Sequence, residues 1–408
     1  MPARTIPPSA STTWPAGWPS FIPKDNDPSD TFQLELKRSL VAEYGADNLE
    51  QAWIKTCNKL KEITSRIARQ GSSAVPVLTY DQDTGCFIVR DVIPHNEATD
   101  CFEDLQQFMA DNGENITGWP AKNPAIFHLY SSPVQLKLRT HPRQLNLQYL
   151  INSLFSDGTL KTPEEQSAQL LPVLYPDALR IRQPGQDFLG LGPHIDGGSL
   201  VRWCDGPYSL TYSRILSGKP EEYDPYDLTH RRAANSSLFP GGAQCSVLRG
   251  FQGWTALTSC APGEGGLMLL PDIQAVTAYM ILRPFFKPPP EECDLLDPES
   301  WTIDTETGWF PGTYRWDSQL LSPASHPHLC LEQTLVSAPR VEPGDTICRD
   351  LTQGEGAGLC CIYPCGAVNT KKQGVYPKLL AGPIGRESSG GLQVPGWCRP
   401  GAGAEYAK

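Results

Sequence analysis

Ala178-Leu179-Arg180-Ile181, Ser199-Leu200-Val201-Arg202-Trp203, Gly266-Leu267-Met268-Leu269-Leu270, Val276-Thr277-Ala278-Tyr279-Met280-Ile281-Leu282 and Thr346-Ile347-Cys348 are short apolar runs punctuated by glycine and proline. Gln244–Arg249, Leu329–Val336 and Leu359–Tyr363 continue the series. Many short runs at such spacing read as strands of a sandwich or barrel rather than as alternating βαβ units. The 36 glycines and 39 prolines in 408 residues agree, since turns between short strands need them. Upstream the texture is helical. Leu49, Trp53, Ile54, Cys57, Leu60, Ile63 and Ile67 recur at three- and four-residue steps, with Asp47 and Glu50 placed as a capping box and Gly71 just past the end. Glu97 to Met109 carries a similar stripe, and a third helix begins near Pro142 and runs through Leu145, Leu147, Leu150 and Ile151. Between the first two, Val75–Tyr80 and Cys86–Val92 read as strands joined by a turn at Asp83-Thr84-Gly85.

The expected architecture is mainly β with helices (α+β): a double-stranded β-helix, or cupin-like jelly roll, under an N-terminal helical layer. Residues 1–28 read as a disordered arm. Residues 29–382 read as one domain, helical over 29–170 and β-helical over 171–366, and 383–408 as a flexible tail. The formal charge of −11 lacks the basic footprint of a nucleic-acid binder. No stretch approaches the roughly 20 apolar residues that cross a bilayer, and the N-terminus carries no apolar secretory core. The thirteen cysteines then read as free thiols of a cytoplasmic protein.

Nucleophile elbows, phosphate-binding glycine loops and zinc helices are absent. Cys348, Cys360, Cys361 and Cys365 cluster without CxxC spacing and read as strand residues. One constellation is left: Gly192-Pro193-His194-Ile195-Asp196-Gly197-Gly198. Residues two apart on an extended strand project to the same face, so His194 and Asp196 can supply two corners of the facial triad that holds non-haem Fe(II). The alternative is a strand-end histidine hydrogen-bonded to its neighbouring aspartate. Arg249 and Arg283, inside the β-rich half, have the planar fork that suits a carboxylate; a structural ion pair is the alternative for each.

The wider pattern is a family resemblance. Leu174-Tyr175-Pro176-Asp177, Leu191–Gly198, Gln252-Gly253-Trp254-Thr255-Ala256-Leu257, Gly263-Glu264-Gly265, Leu282-Arg283-Pro284-Phe285-Phe286, His326-Pro327-His328-Leu329 and Val341-Glu342-Pro343-Gly344-Asp345 stand in order over residues 30 to 365. This resembles the family designated domain of unknown function 1479, whose members look like Fe(II)/2-oxoglutarate-dependent dioxygenases. The resemblance implies His194 and Asp196 as iron ligands, Fe(II) as metal, 2-oxoglutarate as co-substrate, O₂ as oxidant and a small molecule as substrate. By analogy with fungal relatives the setting would be specialised metabolism. Family members place a third ligand, a histidine, soon after the Pro-Gly-Asp turn. Here the chain continues Thr346-Ile347-Cys348-Arg349-Asp350-Leu351-Thr352-Gln353-Gly354-Glu355, and His328 is its last histidine. Three readings follow: Asp350 or Glu355 as the replacement ligand, an open site in a catalytically impaired binding protein, or a cupin-type metal protein that does not use 2-oxoglutarate.

Overall fold

The structure, a computed structural model, describes residues 30–77, 86–174, 178–181, 192–195, 199–239, 250–264, 266–315, 318–350, 361–362 and 365–366. The expected N-terminal arm, the C-terminal tail and the expected strand Gln244–Arg249 lie outside these residues. So does most of Leu359–Tyr363.

Helix Ala46–Gln70 buries the predicted stripe, Leu49, Trp53, Cys57, Leu60, Ile63 and Ile67, and stops at Gly71, where φ of 53° suits a residue without Cβ. The capping box does not form. The helix starts one residue before Asp47, after Gly45, so Asp47 lies in the first turn, where its charge favours the positive helix end. Helices His95–Asn112 and Pro142–Asn152 stand where the periodicity put them. Helix Thr31–Tyr44 was not legible, because its buried face carries Gln33 and Lys37 beside Leu40 rather than an apolar stripe.

Two expected strands are helices. Ser199–Trp203 runs into helix Val201–Cys204, and Val276–Leu282 forms the end of helix Ile273–Leu282, capped by Asp272 through the Ala275 amide. The second is buried all round except at Gln274, and such an apolar run reads the same as a buried strand. Leu329–Val336 likewise gives a short helix, Leu331–Thr334, with only Val336 entering a strand. The molecule is therefore a mixed α and β protein in which helix outweighs strand among the described residues, not a mainly β one.

The largest sheet orders Cys86–Val89, Thr346–Asp350, Phe251–Thr255, Cys365–Gly366 and Val173–Leu174, all antiparallel, with Cys361–Ile362 also pairing Phe251–Thr255. Of the expected hairpin, residues 78–85 lie outside the described residues. Val77 makes only an isolated parallel bridge to Ile88, and Cys86–Val89 takes Thr346–Asp350 as its antiparallel neighbour. A Cβ at Gly253 would collide with the Ile347 carbonyl across the ladder, so this central strand needs its glycine. The main core lies between helices Ala46–Gln70 and Ile273–Leu282. At its centre Trp53 stacks on Phe286 at 4.5 Å and Tyr279 at 5.4 Å, with the rings of Trp301 and His328 within 5.3 Å. Among the described residues no helix is long and apolar enough to cross a membrane, and the eight cysteines whose side chains are described form no disulfide among themselves.

Candidate functional site

His194 and Ile195 form a short strand paired antiparallel with Gln319–Leu320, His194 opposite Leu320 and Ile195 opposite Gln319. The Leu321 amide donates to Pro193 O at 2.8 Å on this side, and the Leu320 amide donates to Gly312 O at 2.8 Å on the other. The supporting strand is therefore held on both edges. Gly312 has φ of 65°, and a Cβ there would collide with the Leu320 carbonyl, so glycine is required behind the strand.

His194 is 2% exposed. Its Nδ1 lies 2.8 Å from Gly192 O. A carbonyl only accepts, so Nδ1 carries a proton, and in the neutral ring Nε2 then carries the lone pair. A backbone carbonyl fixing the tautomer through the second nitrogen is the usual support of a metal-ligating histidine. The neutral form of this one described donor suits a divalent metal. Asp196 lies outside the described residues, as do Glu355 and Arg249. Asp350 ends strand Thr346–Asp350 with its backbone opposite Phe251, and nothing is described of its side chain. Among the described residues no three possible ligands come together.

The chain beyond the motif returns to the same support. Buried Ser199 accepts from the Tyr314 amide through Oγ at 2.7 Å, and the Leu200 amide donates to Tyr314 O at 3.2 Å. Arg202 Nη1 donates to Gln319 Oε1 at 2.7 Å, and Gln319 Nε2 donates to Pro311 O at 3.4 Å. Sequence reasoning missed Ser199, Arg202 and Gln319, since partners more than a hundred residues apart leave no local signal.

Arg283 has a core setting. It is 1% exposed, donates through Nε to Ser325 O at 2.9 Å and through Nη1 to Phe286 O at 2.6 Å, and its guanidinium lies over Trp301 at 4.6 Å and Trp309 at 5.0 Å. Both of these donors are committed to carbonyls. His326 and His328 lie in the same region. His326 shares Nδ1 with Ser325 Oγ at 2.7 Å, and its Cε1 lies against the bare Cα of Gly312. Gly312 bonds the edge of Gln319–Leu320 opposite to the one that the His194 strand pairs with. Burial and the Arg283 charge hold His326 well below the usual imidazole range, and pull His328 down to about 3. Both are neutral core groups.

A model of the Gig2-like family matches residues 28–350 of this chain. Uncharacterized protein YbiU of Escherichia coli strain K12 is 29% identical over 348 residues, covering 77% of this chain and 76% of that one. GlcNAc Inducible Gene 2, GIG2 (DUF1479), from Candida albicans superposes with a TM-score of 0.71 at 25% identity, covering 84% of this chain and 77% of the other. The "Putative Oxidoreductase" from Salmonella typhimurium LT2 superposes with a TM-score of 0.66 at 23% identity, covering 85% of this chain and 87% of the other. The match spans the helical layer, the His194 strand and the Val341–Asp345 turn alike: this chain belongs to the Gig2-like family.

Proposed function

We propose that this protein is an oxidoreductase of the Fe(II)/2-oxoglutarate-dependent dioxygenase type that oxidises a small molecule, with His194 and Asp196 as iron ligands. The observation that carries the reading is the buried His194, with Nδ1 donating to Gly192 O so that Nε2 presents its lone pair. The oxidoreductase designation of the Salmonella neighbour supports the reaction class. In this reading the antiparallel sheet around Phe251–Thr255 and the ribbon of His194–Ile195 with Gln319–Leu320 are facing walls of a double-stranded β-helix. When bound, the iron supplies oxygen activation coupled to oxidative decarboxylation of 2-oxoglutarate. The chain's own part is to hold His194 in one tautomer, to seat it against a strand fixed on both edges, and to exclude water around it. Arg249 is the arginine left for the co-substrate carboxylate, since two Arg283 donors already serve backbone carbonyls.

Anaerobic titration with Fe(II) and 2-oxoglutarate tests this reading. The wild type should develop the weak visible charge-transfer band of the chelated co-substrate and, in air, release succinate. His194→Ala should abolish the band and lower the thermal midpoint by only a few degrees. A full band in His194→Ala would remove the iron assignment. The absence of histidine after His328 favours a second reading, a family member retained as a binding protein. In that case neither band nor succinate appears, and ligands bind equally well to His194→Ala.

A further inference from the structure

We propose that Arg202 and Gln319 are positioning residues that fix the His194–Ile195 strand, and with it the His194 imidazole, against helix Val201–Cys204; this rests on the iron reading above. Gln319 stands opposite Ile195 in the ladder, so its backbone fixes that strand. Its side chain receives Arg202 Nη1 at 2.7 Å, and Arg202 lies in helix Val201–Cys204. One residue therefore joins the His194–Ile195 strand to helix Val201–Cys204. The paired Ser199 and Leu200 bonds to Tyr314 reinforce the start of that helix from the loop that also carries Gly312.

The tie is buried. Gln319 is 1% and Arg202 5% exposed. Burying an amide and a guanidinium is costly unless both are well bonded, so an apolar pair would serve packing alone as well or better. Directional bonds do what packing does not: they fix the distance between two points on the chain. The Gln319 amide is oriented from both sides, with Oε1 toward Arg202 and Nε2 toward Pro311 O, which excludes the flipped rotamer. Outer partners of this kind typically change metal affinity by about 10–100-fold when removed.

The test compares wild type, Gln319→Met, Gln319→Glu and the double variant Arg202→Met/Gln319→Met, which removes the guanidinium together with the amide if the single variant folds poorly. Two readouts are taken on the full chain: Fe(II) affinity from the 2-oxoglutarate charge-transfer titration, and metal-free hydrogen exchange of the peptide covering residues 192–203. Gln319→Met and the double variant should weaken Fe(II) binding about tenfold or more and speed exchange in that peptide ahead of the rest. Gln319→Glu, which keeps an acceptor for Arg202, should return to within about threefold of wild type. Wild-type affinity in the double variant would overturn the positioning role and leave the iron reading standing. An affinity loss shared by Gln319→Glu, with faster exchange throughout the chain, would reduce the tie to ordinary stability and overturn it as well. A wild type that binds no Fe(II) would end the iron reading first, and the positioning role with it.

Discussion

At the scale of single residues, Gly312 is the least replaceable position behind the site. Gly312→Ala combines a left-handed backbone with a collision against Leu320 O, and should cost about 2–3 kcal/mol in urea unfolding. A loss under about 0.5 kcal/mol would mean that the strand relaxes freely. His328 makes a pH prediction. Its folded pKa, about 3, lies below the unfolded value, so between roughly pH 6.5 and 3 the unfolded chain binds the proton and the folded chain does not. Stability should therefore fall as pH falls, by about 1.4 kcal/mol per pH unit for this one group. His326 is depressed in the same direction and adds to the slope. His328→Phe, filling the space among Trp53, Trp301 and Tyr279, should flatten the wild-type slope between pH 6 and 4. An unchanged slope measured by urea midpoints would refute the assignment. His194 was singled out by its spacing from Asp196 together with the family resemblance, whereas its hydrogen bond to Gly192 O was not foreseen, since that partner is set only once the chain has bent.

At the scale of elements, legibility followed periodicity. Ala46–Gln70 and His95–Asn112 present apolar stripes and were readable; Ile273–Leu282 is apolar nearly all round and carried no period to distinguish helix from strand. Thr31–Tyr44 is docked by charge instead. Lys37 Nζ, fully buried, donates to Asp304 Oδ2 at 2.9 Å and to Trp309 O at 3.0 Å, and Arg38 reaches Thr305 O. Burial pulls the Lys37 ammonium down to about 8, outweighing the attraction of Asp304. Lys37→Met leaves a buried carboxylate without its cation and should destabilise the fold by about 3–5 kcal/mol. The double variant Lys37→Met/Asp304→Asn should recover part of that loss. Chemical denaturation of all three proteins decides it: equal loss in single and double variants would show that the ion pair is not what seats this helix. The helix holds residues 304–309, and the same loop runs on through Pro311, Gly312 and Tyr314 to the site, so its docking and the site share one support.

At the scale of the whole molecule, the presence of both helices and strands was readable, whereas the preponderance of helix and the pairing of distant strands were not. The expected hairpin at Cys86–Val89 was a local guess; the actual partner, Thr346–Asp350, lies far along the chain, and long-range partners leave no mark in local composition. That pairing has a consequence for how the protein is made. During translation Cys86–Val89 leaves the ribosome some 260 residues ahead of the strand that flanks it, a delay on the order of 10–50 s at ordinary elongation rates. Phe251–Thr255 waits for the same strand with its edge unpaired. A nascent chain stalled before Thr346 should be cleaved readily by a probing protease around residues 86–89, and one released after residue 366 should resist. Protection already present in the earlier stall would mean that the sheet recruits a temporary neighbour. Until that strand emerges, the sheet lacks the one element that pairs with both Cys86–Val89 and Phe251–Thr255, and the cell's holding chaperones have that interval in which to act.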